Sequence, residues 1–477
     1  MTTPIATPGP LPLIINNVDV TTETTFPVYS PATNEVLWSS FAATPEHARA
    51  AADAAQAVFL SWSRIKWSQR RDLLLKAAEV LEGRAEELKA TSIQETGSVD
   101  AWESFDVYGG IAMLREVAGR VSSIEGHIPQ TEGRSGFVFR IPYGVVLSIA
   151  PWNAPVILGI RSIVYPLAAG NTVVFKGSEF SPRTHYLLAD SFRAAGFPPG
   201  VVSLVTHAPG ASGADVVGAL IAHPAIKKIN FTGSTAVGKI IAELAGRHIK
   251  PVLLELGGKA TAVVLDDADL ELAASTIAEG ANTHAGQICV GTERVAVLSS
   301  VAEKFTAALR RVYEERYSDI SKQQPVTQAS SADRIDALLK QTVEEGGNVV
   351  FGGQRDEHNP RCFQPTILTN VEGTVLYNTE SFAPFVSVTV VDTVEDAVRV
   401  ANDGDYGLST AVWSQDFYRA LKVAQKINAG HVHINGSTIY DEPTLPYGGV
   451  RSSGIGRFGG NWGIDEFLTI KTVTFPL

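Results

Sequence analysis

A chain of 477 residues has room for two or three domains around a large core, and its composition, 45% hydrophobic and 19% charged with 42 glycines, is that of an ordinary globular α/β protein. A net charge of −11 with no long basic run argues against a nucleic-acid partner, and only two cysteines, Cys289 and Cys362, rule out a disulfide framework and point to a reducing compartment. The N-terminal run MTTPIATPGPLPLIINN does not read as a secretory signal, and the most apolar window, Gly144 to Ile160, is too short and too broken by prolines to span a bilayer, so neither a membrane partner nor a non-cytoplasmic location is expected.

Thr44-Pro45 opens the first helix, with a capping residue followed by proline, and the alanine-rich run carries it to about Leu60. A longer amphipathic pattern from about Gln69 to Thr96 predicts a second helix, ended by Gly97. From Gly144 the pattern changes. Short apolar runs at Val145–Ile149, Thr172–Phe175, Val201–Val205, Ile226–Phe231 and Val252–Leu254 alternate with helical segments, one of them started by Ser181-Pro182 and ended by Gly196. This alternation predicts a parallel sheet covered on both faces, with ligands at the carboxyl ends of its strands. A second series, near Arg294–Leu298, Asn348–Phe351, Val386–Val391, Leu408–Trp413 and His431–Ile434, predicts a second α/β domain. Two pieces, about Ser122–Ile141 and Glu466–Phe475, read as strands without a helix partner, and such edges are usually paired, often with another subunit.

Gly233-Ser-Thr-Ala-Val-Gly-Lys239 looks like the phosphate loop of an ATP-binding protein, but Ile240 replaces the hydroxyl that would ligate magnesium. What remains is a strand, a glycine-containing turn and a helix beginning near Ser234. That geometry offers backbone N–H groups and a positive helix end to a dinucleotide pyrophosphate, or is a plain tight turn. Gly454-Ile-Gly456-Arg-Phe-Gly459 has the formal dinucleotide spacing, yet no apolar strand precedes it, so it is expected to be a glycine-rich loop.

Three residues carry candidate chemistry. Cys289, in HAGQICVGTE, sits in a polar loop between a helical segment and a strand. At its reference pKa only about 3% would be thiolate at neutral pH, so a nucleophile here needs electrostatic help. Glu255 ends a buried strand and either faces a cleft or pairs with a lysine such as Lys259. Asn153, in APWNAP, either donates to a developing oxyanion or shapes a turn between prolines. Cys362, in PRCFQPTIL, fits a buried hydrophobe.

Pro151-Trp-Asn153, Phe231-Thr-Gly-Ser-Thr235, Leu254-Glu-Leu-Gly-Gly-Lys259, Gly286-Gln-Ile-Cys289 and Glu380-Ser-Phe-Ala-Pro384 occur in that order, and nearly the whole chain resembles the NAD(P)-dependent aldehyde dehydrogenase superfamily. The resemblance implies a Rossmann-type cofactor domain (1–121 and 142–255), an α/β catalytic domain (256–462) and a small β oligomerisation arm (122–141 and 463–477) that makes a homodimer or homotetramer. It implies that Cys289 forms a thiohemiacetal with the aldehyde, that Asn153 and the backbone N–H of Cys289 hold the oxyanion, and that Glu255 activates the water that hydrolyses the thioester. Lys176 and Glu179 match the adenosine-ribose contacts, Gly233 and Ser234 the pyrophosphate turn, Trp152 a further cofactor contact, and Glu380 and Phe382 the nicotinamide-ribose side. No metal is assigned. Glu179 would repel a 2′-phosphate, which favours NAD over NADP. Two departures bear on cofactor affinity: Ala383 stands where the family usually has glycine, and the segment after Tyr317, SDISKQQPVTQASS, is short.

VVFKGSEFSP, VLDDADLE and HVHINGST…PYGG further resemble the salicylaldehyde/vanillin-type aromatic aldehyde branch. In that branch the positions of Trp102 and Arg161 lie near the substrate ring, where a tryptophan stacks and an arginine meets a ring hydroxyl; the plainer alternatives are a packing tryptophan and a surface arginine paired with a carboxylate. Aliphatic aldehyde oxidation, acyl transfer to coenzyme A and an idle binding protein on the same fold are the alternatives in function. Glu255 argues against the second, and the intact Cys289, Glu255 and Asn153 set against the third.

Overall fold

In the computed structural model, which describes residues 9–476, five parallel strands form the centre of an eight-stranded sheet. Across that sheet they run Val252–Glu255, Ile226–Thr232, Val145–Ile149, Thr172–Lys176, Val202–Val205. All five were expected, within a residue or two. The first strand in the chain thus lies in the middle, and the crevice beside its carboxyl end is where an open α/β sheet binds ligands. Leu13–Ile15 and Val18–Val20 extend one edge antiparallel, and the short Gly454–Ile455 closes the other against Leu254 and Glu255. The glycine-rich decoy is therefore an edge strand and loop beside the end of the Glu255 strand.

Helix Pro155–Ala169 explains much of the site's rigidity. Every residue in it is buried, and Arg161 is its one charged side chain. A helix that is apolar on all sides belongs inside a core, and it packs closely against helix Asp100–Arg120. Asp106 of that neighbour accepts hydrogen bonds from Val156 N (2.9 Å) and Ile157 N (2.8 Å), satisfying two of the donors that a helix start leaves free.

Seven strands form the second sheet, in the order Asn348–Phe351, Thr366–Thr369, Phe385–Val391, Thr292–Leu298, Ala260–Val264, Ser409–Trp413, His431–Ile434, all parallel except the first. Ala260–Val264 and Thr366–Thr369 were not anticipated. The chain crosses between the sheets through Leu256-Gly257-Gly258-Lys259, so the carboxyl ends of one sheet face the amino ends of the other.

The single helix expected over 69–96 is two, Trp67–Gly83 and Ala85–Thr96. Arg84 leaves the helical conformation (φ −106°, ψ 7°) and is anchored sideways by Asp190 at 2.8 Å and Ser191 Oγ at 3.2 Å. Gly97 ends the second helix at φ +76°, as its position suggests. The two unpartnered strand pieces pair with each other: Arg134–Pro142 runs antiparallel to Leu468–Pro476. The first piece begins later than expected, because Val121–Ser123 is a helical turn. This ribbon exposes Phe137, Phe139, Ile470 and Val473. Among the described residues no helix is long and apolar enough to cross a membrane.

Candidate active site

A cleft of about 510 Å³ opens where the two sheets meet. All seven expected cofactor residues line it: Trp152 after the first parallel strand, Lys176 at the end of the second and Glu179 just beyond it, Gly233 and Ser234 after the fourth, and Glu380 and Phe382 before a strand of the other sheet. Ser234 caps helix Thr235–Arg247, its side chain accepting from Val237 N at 3.4 Å, so the helix start faces the cleft. Lys176 Nζ lies 3.2 Å from Glu179 Oε2. Burial works against the Glu179 charge, yet Lys176 and His207 hold its carboxyl below the ordinary value, so it is an acceptor at neutral pH.

At the far end of the cleft Glu380 accepts from Gly258 N at 2.9 Å. Burial, with Glu293 nearby, pushes the Glu380 carboxyl up to about 7. A side chain at Gly257 would collide with that carboxyl, so the bare glycine keeps the space open. The loop itself is held by Glu293, which accepts from Ser381 N at 2.9 Å and pairs with Lys259 at 2.5 Å. Lys259 is thus the partner of Glu293 and not, as one reading had it, of Glu255. Ala383 packs into a buried apolar cluster, and its carbonyl occupies the place a Cβ on Gly286 (φ +72°) would need. Gln328, from the shortened segment, also lines the cleft.

Cys289, Glu255 and Asn153 lie in this cleft and also in a small inner chamber behind it. Asn153 Nδ2 donates to Gln287 O at 2.9 Å, which ties the amide to the loop carrying Cys289 and leaves its second hydrogen for another acceptor. Burial, then the Glu255 and Glu380 carboxylates, push the Cys289 thiol well up, so the resting sulfur is protonated. Glu255 is fully buried, and burial raises its carboxyl although Arg161 opposes the rise. Its Oε2 lies 3.1 Å from Arg161 Nη1 and its Oε1 has no partner among the described residues.

Arg161 and Trp102 also line the inner chamber. Arg161 is not at the surface: it is 2% exposed, it pairs with both Glu255 and Asp441, and its guanidinium lies over the Tyr447 ring at 4.5 Å. Trp102 donates from Nε1 to Asn153 O at 3.1 Å and stacks on His284 with ring centres 5.8 Å apart. Outside the chamber a funnel of about 760 Å³ is lined by Trp102, Phe105, Ile439, Tyr440, His433 and Asp441 among others. The aldehyde dehydrogenase family model matches residues 18–473. The chain belongs to the aldehyde dehydrogenase family.

Among its relatives in that family, a vanillin dehydrogenase of Pseudomonas sp. (strain HR199 / DSM 7063) is 44% identical over 474 residues, 97% of each chain. A salicylaldehyde dehydrogenase of Pseudomonas putida is 39% identical over 477 residues, again 97% of each. The crystal structure of a salicylaldehyde dehydrogenase from Pseudomonas putida G7, complexed with salicylaldehyde, superposes with a TM-score of 0.94 at 38% identity and covers 98% of both chains. The chain is therefore an aldehyde dehydrogenase in fold and enzyme class, with its expected residues gathered in one place.

Sequence reasoning missed Asp441, His284, Glu293 and Phe105. His284 is wholly buried with neither ring nitrogen bonded, and burial pushes it down to about 3, so it is a neutral ring beside two tryptophans. Asp441 left no signal in the sequence, because the burial of Arg161 and its Glu255 partner appear only in the fold.

Proposed function

We propose that the chain oxidises an aromatic aldehyde to the carboxylic acid, with NAD preferred over NADP. The observation that carries the reading is that Cys289, Asn153 and Glu255 sit between a cleft with dinucleotide chemistry and an aromatic-walled funnel. The cleft fits the cofactor on its own residues: a helix start at Ser234 for phosphate, Glu179 and Glu380 as ribose acceptors, and the glycine cradle at Gly257. When bound, the nicotinamide dinucleotide supplies the hydride acceptor.

The Cys289 thiol passes its proton to the Glu255 carboxylate across the inner chamber, Sγ adds to the carbonyl carbon, and the resulting oxyanion takes hydrogen bonds from Asn153 Nδ2 and Cys289 N; Glu255 releases that proton to solvent before the hydrolytic step. Oxidation of that carbon leaves a thioester on Cys289. Glu255 then takes a proton from water, the oxygen adds to the thioester carbon, and the sulfur leaves with the acid released. A base in this position suits release as the acid and not transfer to coenzyme A. The aromatic substrate class rests on Trp102 and Phe105 in the funnel wall and on the relatives that act on vanillin and salicylaldehyde. Arg161, engaged by two carboxylates, serves the base before it serves a ring hydroxyl. The exposed ribbon at Phe137, Phe139, Ile470 and Val473 is read as the contact with a second copy, and the two free cysteines suit a cytoplasmic enzyme. The test is Cys289→Ala against benzaldehyde, salicylaldehyde and vanillin: NADH formation disappears in the variant, and its persistence would refute the mechanism.

A further inference from the structure

Arg161 is the only charge on a wholly buried helix, and a lone buried guanidinium needs carboxylates around it. It has two, on opposite terminal nitrogens: Glu255 on Nη1 at 3.1 Å, and Asp441 on Nη2. Glu255 ends a strand of the first sheet, whereas Asp441 comes from the loop after strand His431–Ile434 of the second. Two carboxylates from different sheets thus share one guanidinium carried by a third element. Asp441 has a second face, since it lines the funnel as well as the inner chamber.

We propose that Asp441 is a positioning residue: by taking one side of the Arg161 guanidinium it prevents Arg161 from neutralising Glu255, and so keeps Glu255 a competent proton acceptor for thioester hydrolysis. This inference rests on the reading of Glu255 as the hydrolytic base. The physics is a competition. Alone with Arg161, Glu255 would form a closed ion pair, its negative charge favoured and its affinity for a proton low. A second carboxylate makes the group of three net negative, and Glu255 regains proton affinity. Burial raises the Glu255 carboxyl, Arg161 lowers it and Asp441 raises it again. The other charged or titratable groups facing this cluster are Cys289 and Tyr447 on the chamber side, Tyr165 on the helix of Arg161, and His431 and His433 beside Asp441. Thr232 Oγ1, 3.4 Å from Glu255 Oε2, adds a neutral donor. Among the described residues Asp441 is the one carboxylate that shares Arg161 with Glu255.

The experiment is rapid-quench measurement of the acyl-enzyme formed from benzaldehyde and NAD, with its decay followed across pH in wild type, Asp441→Asn and Asp441→Glu. Reading decay directly separates hydrolysis from the steps that form the acyl-enzyme. In Asp441→Asn the acid limb of the decay profile moves to lower pH by about one unit and the plateau falls severalfold, because a weaker base accepts the proton. Asp441→Glu, which restores the charge, returns the limb toward wild type; a purely structural role would not move the limb at all. An unchanged limb in Asp441→Asn overturns the proposal, as does failure of both variants to form acyl-enzyme when wild type does. A wild-type acyl-enzyme that forms but does not decay to benzoic acid overturns instead the thioester mechanism on which the inference rests.

Discussion

Asn153→Ala tests the site most directly, because one amide has two separable duties. Its Nδ2 gives one hydrogen to Gln287 O at 2.9 Å and has one left for the oxyanion. Losing the first bond removes a neutral hydrogen bond, a stability effect of about 1 kcal/mol. Losing the second raises the barrier of the oxyanion-forming step by about 3–4 kcal/mol, a loss in kcat of the order of 10²–10³-fold. The two effects separate in different assays. Thermal unfolding reads the first, as a small drop in Tm. Single-turnover NADH formation at saturating NAD reads the second, and alkylation of Cys289 by iodoacetamide checks that the loop still presents the sulfur. A variant that unfolds normally, alkylates normally and yet forms NADH within about threefold of wild type would refute the assignment of the oxyanion to Asn153.

Glu179→Gln removes the carboxylate that repels a 2′-phosphate while keeping an acceptor for a ribose hydroxyl. The ratio of kcat/KM for NAD over NADP is expected to fall by about tenfold, and an unchanged ratio would show that selectivity lies elsewhere. Glu95 accepts hydrogen bonds from Trp38 Nε1, Arg183 N, Thr184 N and Thr184 Oγ1 in a fully buried setting. Glu95→Ala leaves these donors unsatisfied and is expected to destabilise by at least about 3 kcal/mol in denaturant titration. Phe139→Asp, placed on the exposed ribbon, is expected to lower the apparent mass in sedimentation; an identical sedimentation coefficient would remove the ribbon from the interface.

The parallel strands of the first sheet were legible because each is a short apolar run bounded by turn residues, and their order placed Asn153, Lys176, Ser234 and Glu255 at the same ends. Ala260–Val264 was not legible. It is a central strand buried on both faces, so ATAVV shows no alternation, and it follows Glu255 too closely for a helix to announce it. The break at Arg84 was hidden for a related reason: the apolar spacing continues through it, and only contacts with Asp190 and Ser191 show why the helix stops. In the site, motif residues were legible as a set because their chemistry and order are specific. Asp441 and Glu293 were not, since their roles exist only after folding brings them to Arg161 and to the Ser381 loop. Arg161 lines the inner chamber with Cys289 and Glu255, but sequence offered no way to see that it would lie beneath the surface between two acids.

The sulfur of Cys289 stands between two doorways, the cleft on one side and the funnel on the other. Traffic through one need not wait for the other. On the mechanism proposed above, spent dinucleotide departs through the cleft while the acyl group stays tethered, and water takes its place without the organic fragment first backing out. A bulky blocking group at the funnel mouth would therefore stop aldehydes from arriving and acids from leaving, yet leave exchange of the dinucleotide untouched.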